Sequence, residues 1–125
     1  MGYWWGTSEI YSAIKDLTFV QDSLIIHLDN FENKLILFVK SDFIINHQEL
    51  KSVIRSKCSP RHVPDLILKC EDIPYTISGK KVEVPIKKIL LGYSADNVVS
   101  RDSLRNPETI DWFVDFYENL FKTSD

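Results

Sequence analysis

Ile73-Pro74-Tyr75-Thr76-Ile77-Ser78-Gly79-Lys80-Lys81 is the stretch of this 125-residue chain on which its reading turns. Pro74, Ser78 and Gly79 punctuate it, so the passage reads as a turn and not as part of a helix or strand. Gly79 supplies backbone freedom, and the two lysines after it project into solvent or toward an anion. Taken alone, the pattern fits a solvated surface loop better than an anion contact. It is not a Walker phosphate loop, because Pro74 and Tyr75 stand in the region where that loop needs its upstream glycine.

Upstream of the turn, Leu66-Ile67-Leu68 reads as a short buried strand, and Pro60 and Pro64 enforce an extended or turning segment before it. A helix is expected from about His47 to Cys58. Asn46 is its cap, Glu49 stands where a reciprocal capping carboxylate belongs, and Leu50, Val53 and Ile54 form its apolar stripe. Ser23 to Leu28 and Lys34 to Lys40 are strand-like runs, with turn residues between them at 29–33, so a hairpin is expected. A first helix is expected from Ser8 to Leu17, with Thr7 as cap, Glu9 at the positive end of the dipole, and Ile10, Ile14 and Leu17 on one face. Downstream, Pro85 opens a helix that runs to Leu91 and stops at Gly92. Tyr93 to Arg105 is polar, without a clear period. The last helix takes Asn106 as cap and Pro107 as its first residue, with Ile110, Phe113, Val114 and Tyr117 as its apolar face. Alternating helices and short strands in one small unit predict an α+β or small α/β domain.

Composition narrows the function classes. Hydrophobic residues make up 44% and charged residues 26%, which excludes disordered and collagen-like chains. The net charge of −3 argues against a dedicated nucleic-acid binder, which would carry a basic excess. No apolar run approaches the roughly 18 residues of a membrane span, and the first residues lack the character of a signal peptide, so a cytoplasmic protein without membrane partners is expected. The two cysteines, Cys58 and Cys70, are too few for a disulfide framework and read as free thiols. His27, His47 and His62 have no partners at zinc spacing, so no metal site is expected. A chain of this length suits one core of its own but is short for an enzyme that encloses large nucleotide substrates.

Three separated motifs, in order, carry a resemblance. Gly6-Thr7-Ser8-Glu9-Ile10-Tyr11 comes first. Arg61-His62-Val63-Pro64 with Ile73-Pro74-Tyr75-Thr76 and Ser78-Gly79-Lys80-Lys81-Val82-Glu83-Val84 follows, and Asn106-Pro107-Glu108-Thr109 closes the set. Together they resemble the C-terminal domain of the adenylate-forming superfamily, and within it the acetoacetyl-CoA synthetase branch. The likeness runs from about Gly6 to Tyr117. It implies an α+β fold, a small mixed β-sheet with helices packed on it. It also implies a lid domain over residues 1–92 and a C-terminal extension with a terminal helix over 93–125.

The resemblance further implies a two-step ligation in which ATP and a carboxylate give an acyl-adenylate, and CoA then gives the thioester. Lys80 would be the catalytic residue of the first step, on a turn shaped by Ser78 and Gly79. Gly6 and Thr7 would face the pantetheine tunnel in the second step, although Thr7 and Glu9 serve equally as capping residues. Arg61 would meet a CoA phosphate or fix the Pro60–Pro64 turn, and His62 reads as structural. The substrates implied are ATP with its Mg2+, acetoacetate or a similar short acid, and CoA, none bound tightly by this domain alone. The implied partner is a large N-terminal adenylation domain, without which the chain is expected to be inactive. One departure is Trp4, in the place where the superfamily carries an arginine before the glycine matching Gly6; this departure leaves open whether the CoA-phosphate contact of that arginine is made here. The alternative is a free-standing interaction or regulatory module with the same fold, presenting Trp4, Trp5, Trp112, Phe113 and Phe116 as an aromatic surface; otherwise those rings belong to the core.

Overall fold

The computed structural model describes residues 7–28 and 34–121, with nothing said of the side chains of Thr7, Leu120 and Phe121. The chain divides into two units, Met1–Cys70 and Glu71–Asp125.

In the first unit, helix α1 (Thr7–Ile14) is followed by strands β1 (Asp22–Leu28) and β2 (Lys34–Lys40), helix α2 (His47–Lys57), a 3-10 turn (Pro60–His62) and strand β3 (Leu66–Cys70). β2 lies in the centre of the sheet, antiparallel to β1 and parallel to β3. The parallel pairing follows from the connection: α2 carries the chain back so that β3 can run in the same direction as β2. This is the small mixed sheet that the sequence led us to expect. Side-chain alternation sends Ile25, Leu35, Leu37 and Val39 to the face that packs with Ile10 and Ile14 of α1 and Leu50 and Ile54 of α2. Leu24, Ile26, Ile36 and Phe38, on the other face, are buried as well. With both faces buried, β2 reads as a continuous apolar run fenced by Lys34 and Lys40.

Polar groups fix the register. Asp65 accepts from the Leu35 amide through Oδ2 at 2.7 Å and donates its own amide to the Leu35 carbonyl at 2.8 Å, pinning the entry of β3 to β2. The Tyr11 hydroxyl accepts from the Ile25 amide at 2.8 Å and ties α1 to the sheet. Asn46 caps α2 as expected, its Oδ1 accepting from the Glu49 amide at 3.0 Å. α1 ends three residues earlier than its apolar spacing suggested. The chain tightens after Ile14, where the Leu17 amide turns back to the Ile14 carbonyl, and Leu17 is half-buried on that turn. The expected hairpin connection at 29–33 lies outside the described residues.

The second unit holds a short hairpin-like turn, then α3 (Val84–Leu90), α4 (Ala95–Val98), a 3-10 turn (Arg101–Ser103), α5 (Glu108–Phe116) and a π-helical turn (Tyr117–Phe121). Pro85 stands in the first turn of α3, and Gly92 leaves that helix at φ +100°. A Cβ on Gly92 would also meet the Tyr117 hydroxyl at 3.1 Å. The core gathers Ile73, Val82, Ile86, Ile89, Leu90, Leu104, Ile110, Phe113 and Phe116. The polar segment after Gly92 lacks a period because it is broken into two short elements, and Leu104 alone among its apolar residues is buried.

One expectation fails here, and one open choice is decided. Phe113 and Phe116 are buried and the half-buried Trp112 stacks on Phe116 at 5.7 Å, so of the two readings offered these rings take the core one. Trp4 and Trp5 lie outside the described residues. Asn106 does not cap the last helix with its side chain; α5 begins beyond Pro107, and the Asn106 amide group points elsewhere.

Candidate functional site

The Ser78–Lys80 segment is the tip of a closed turn. The Gly79 amide donates to the Thr76 carbonyl at 2.9 Å, and the Thr76 amide donates to the Lys80 carbonyl at 2.8 Å. The Lys80 amide is satisfied by the Thr76 hydroxyl at 3.0 Å, and that hydroxyl lies 3.0 Å from the Ser78 hydroxyl. Gly79 takes φ +96°, the left-handed conformation that closes a three-residue hairpin connection after its first turn. Just outside the tip, Tyr75 and Lys81 pair as an antiparallel bridge, and the Val82 amide reaches the Pro74 carbonyl at 3.1 Å. A backbone closed at so many points makes a firm base for the Lys80 stem, and Lys80 itself is exposed. Ile77, at the same tip, is 67% exposed, so an apolar side chain stands in solvent beside the lysine.

A second segment backs the turn. The Ile77 amide donates to the Ser103 carbonyl at 3.0 Å and the Arg105 amide to the Tyr75 carbonyl at 2.8 Å, around a bridge between Thr76 and Leu104. The Arg105 guanidinium lies 5.4 Å over the Tyr75 ring, a cation–π contact, and 3.3 Å from the point where a Cβ of Gly79 would stand.

The first unit gathers the other candidate residues. Gly6 lies outside the described residues, and Thr7 begins α1. Glu9, two residues on, places Oε1 3.4 Å from Nε2 of the buried His62, whose Nδ1 is 2.7 Å from the Ser59 hydroxyl. The Ser59 hydroxyl also accepts the Arg61 amide at 3.2 Å. The start of α1 and the Pro60–His62 turn therefore meet, and the first two motifs become neighbours in space. Arg61 is exposed on that turn, while His62 is buried. The Cys58 thiol donates to the Glu9 carbonyl at 3.5 Å; burial, and then the Glu9 charge, push its pKa up, so it is a poor nucleophile. Among the described residues, no cluster of three or more His, Cys, Asp or Glu is arranged to hold a metal, and no helix is long and apolar enough to cross a membrane.

No family model matches the chain. Acetoacetyl-CoA synthetase of Gallus gallus is 40% identical over 128 residues, and that of Caenorhabditis elegans is 38% identical over 122. These alignments take in 95% and 89% of this chain but only 18% and 17% of those proteins. Among solved structures, acetoacetyl-CoA synthetase from Streptomyces lividans superposes with a TM-score of 0.84 at 31% identity, over 90% of this chain and 18% of that one. The chain is a C-terminal domain of the adenylate-forming family. An acyl-CoA synthetase from Brucella canis, at 22% identity and a TM-score of 0.57 over 72% of the chain, shares the fold.

Within this adenylate-forming domain, the residues singled out by sequence fall into two groups. Ser78, Gly79 and Lys80 share one turn of the second unit, while Thr7 and Arg61 belong to the first. Sequence reasoning missed the partners of the turn, Ser103 to Asn106. Asn106 before a proline at a helix start has the signature of a cap, and nothing in the spacing signals a contact with Tyr75, 31 positions away.

Proposed function

We propose that this chain is the mobile lid of an ATP-dependent acid–thiol ligase of the acetoacetyl-CoA synthetase kind, and that Lys80 is its adenylation residue. The observation that carries the reading is the closed turn: the Thr76, Ile77, Gly79 and Lys80 amides are all engaged, and the exposed Lys80 extends from that base as a flexible cation. In the first step the substrate carboxylate attacks the α-phosphorus of ATP and pyrophosphate leaves. Negative charge grows on the oxygens around that phosphorus, and an ammonium delivered there stabilises it. Lysine suits the task because its point charge sits at the end of a long stem, and a mobile domain can insert and withdraw it. The exposed Ile77 beside it gives the tip apolar area to bury on entering a pocket. In the second step the CoA thiol attacks the acyl carbon and AMP leaves. For that step Gly6 and Thr7 would face the pantetheine arm, and the exposed Arg61 is available to a CoA phosphate.

ATP with its Mg2+, a short acid such as acetoacetate, and CoA are thus substrates of a larger enzyme, whose large N-terminal adenylation domain would be this chain's partner. In this reading residues 1–92 form the lid and 93–125 an extension whose first part, through Ser103 and Arg105, backs the catalytic turn. The test is Lys80→Ala in the full-length ligase. Adenylation, followed by pyrophosphate exchange, should fall at least about 100-fold, while thioester formation from supplied acyl-adenylate stays within about twofold. Equal loss of both half-reactions overturns the assignment.

A further inference from the structure

The geometry points to Asn106 as a positioning residue for Lys80, a role that rests on the reading of Lys80 given above. Its side chain makes three hydrogen bonds to the strand of chain leading into the turn. Oδ1 accepts from the Tyr75 amide at 3.0 Å, and Nδ2 donates to the Ile73 carbonyl at 2.8 Å and to Asp72 Oδ2 at 3.1 Å. The amide orientation is dictated by its surroundings, since the oxygen faces a donor and the nitrogen faces two acceptors. A helix cap would use the same side chain on the amides of α5. Here it is turned away from them, and the Asn106 carbonyl is left to accept from the Thr109 hydroxyl and amide.

The bonds lead to Lys80 by a short route. Asn106 fixes the backbone on both sides of Pro74, at Ile73 and Tyr75. Tyr75 is paired with Lys81 across the turn, and Thr76, the next residue, holds both the amide and the carbonyl of Lys80. Arg105 and Ser103 secure the same segment through backbone bonds, which survive side-chain substitution, whereas Asn106 bonds the backbone before the turn through its side chain. It is remote from the reacting atoms and acts by aim. Displacing a catalytic group by about 1 Å is enough to lose on the order of 100-fold in rate.

The full-length ligase provides the test. Asn106→Ala should lower the kcat of adenylation about 10- to 100-fold, with KM for ATP within about threefold and thioester formation from acyl-adenylate within about twofold. Combined with Lys80→Ala, it should cost nothing further, because the lysine it aims is gone. Asn106→Asp is a second variant that keeps the acceptor for Tyr75 but sets a carboxylate oxygen against Ile73 and Asp72. Its adenylation rate, relative to the unsubstituted ligase at the same pH, should recover as the pH falls and the new carboxyl regains a proton to donate. Thioester formation should stay within about twofold across the same pH range, whereas a structural defect would draw both half-reactions down together. Full adenylation by Asn106→Ala beside an inactive Lys80→Ala overturns the positioning role, as does equal loss of both half-reactions. An active Lys80→Ala overturns the catalytic reading on which the role rests.

Discussion

Gly79 holds φ +96° directly before the lysine, in the region that L-residues enter at a penalty of roughly 1–2 kcal/mol. The space for a side chain is a lesser matter: the nearest atom to a Cβ, at 3.3 Å, is the end of the exposed and flexible Arg105 side chain. Gly79→Ala is therefore expected to destabilise the chain by about 1–2 kcal/mol in urea denaturation, with Gly79→Asn milder because asparagine tolerates this conformation. Cys58 gives a second measurement at this scale. Because desolvation and the Glu9 charge raise its pKa, less thiolate is present at a given pH. Its alkylation by iodoacetamide should lag behind that of the unfolded chain near neutrality, with the half-maximal rate moved to higher pH. Gly79 and Lys80 were legible in the sequence because turn punctuation is local. Asn106 was not, since its side chain had two competing uses and only the folded chain decides between them.

At the scale of elements, α2 shows how well local signals can work. Asn46 sits where sequence put the cap, its Oδ1 takes the Glu49 amide, and the helix starts one residue later at His47. Asn46→Ala should lower stability by about 1 kcal/mol, read as a shift in the thermal midpoint. Strands β1 and β2 were equally legible, since runs of Ile, Leu, Val and Phe bounded by turn residues leave few alternatives. The direction of β3 was not written in Leu66–Leu68 themselves; it depends on the α2 crossover that precedes them. α1 was overextended because Leu17 continues the helical spacing, although the chain has already turned and half-buries it from a different direction. Apolar periodicity reports which residues are sheltered, and a helix end can shelter a residue without including it.

For the molecule as a whole, each of the two units has buried side chains of its own. Phe113 is fully buried in the second unit, in edge-on contact with Trp112. Phe113→Ala should cost about 3–5 kcal/mol. In native-state hydrogen exchange the loss of protection should be greatest in α3 and α5, which pack on one another, and smaller in the β1–β2 ladder. Uniform loss across both units would count against this local effect. The fold class was within reach of sequence; the division at Cys70 was not, because no proline- or glycine-rich linker marks it.

The backing of the Lys80 turn by Ser103 to Asn106 has a consequence for how the protein comes into being. Thr76 and Leu104 are neighbours in the finished molecule but far apart along the chain, so their meeting requires closure of the loop containing α3 and α4. A growing polypeptide presents the lysine to the cell well before it presents the residues that secure it. Until Asn106 has left the ribosome, the turn lacks its three side-chain bonds, however well the preceding sheet has formed. A transcript cut short between α3 and α5 would consequently yield a product that carries Lys80 on a turn without its backing segment.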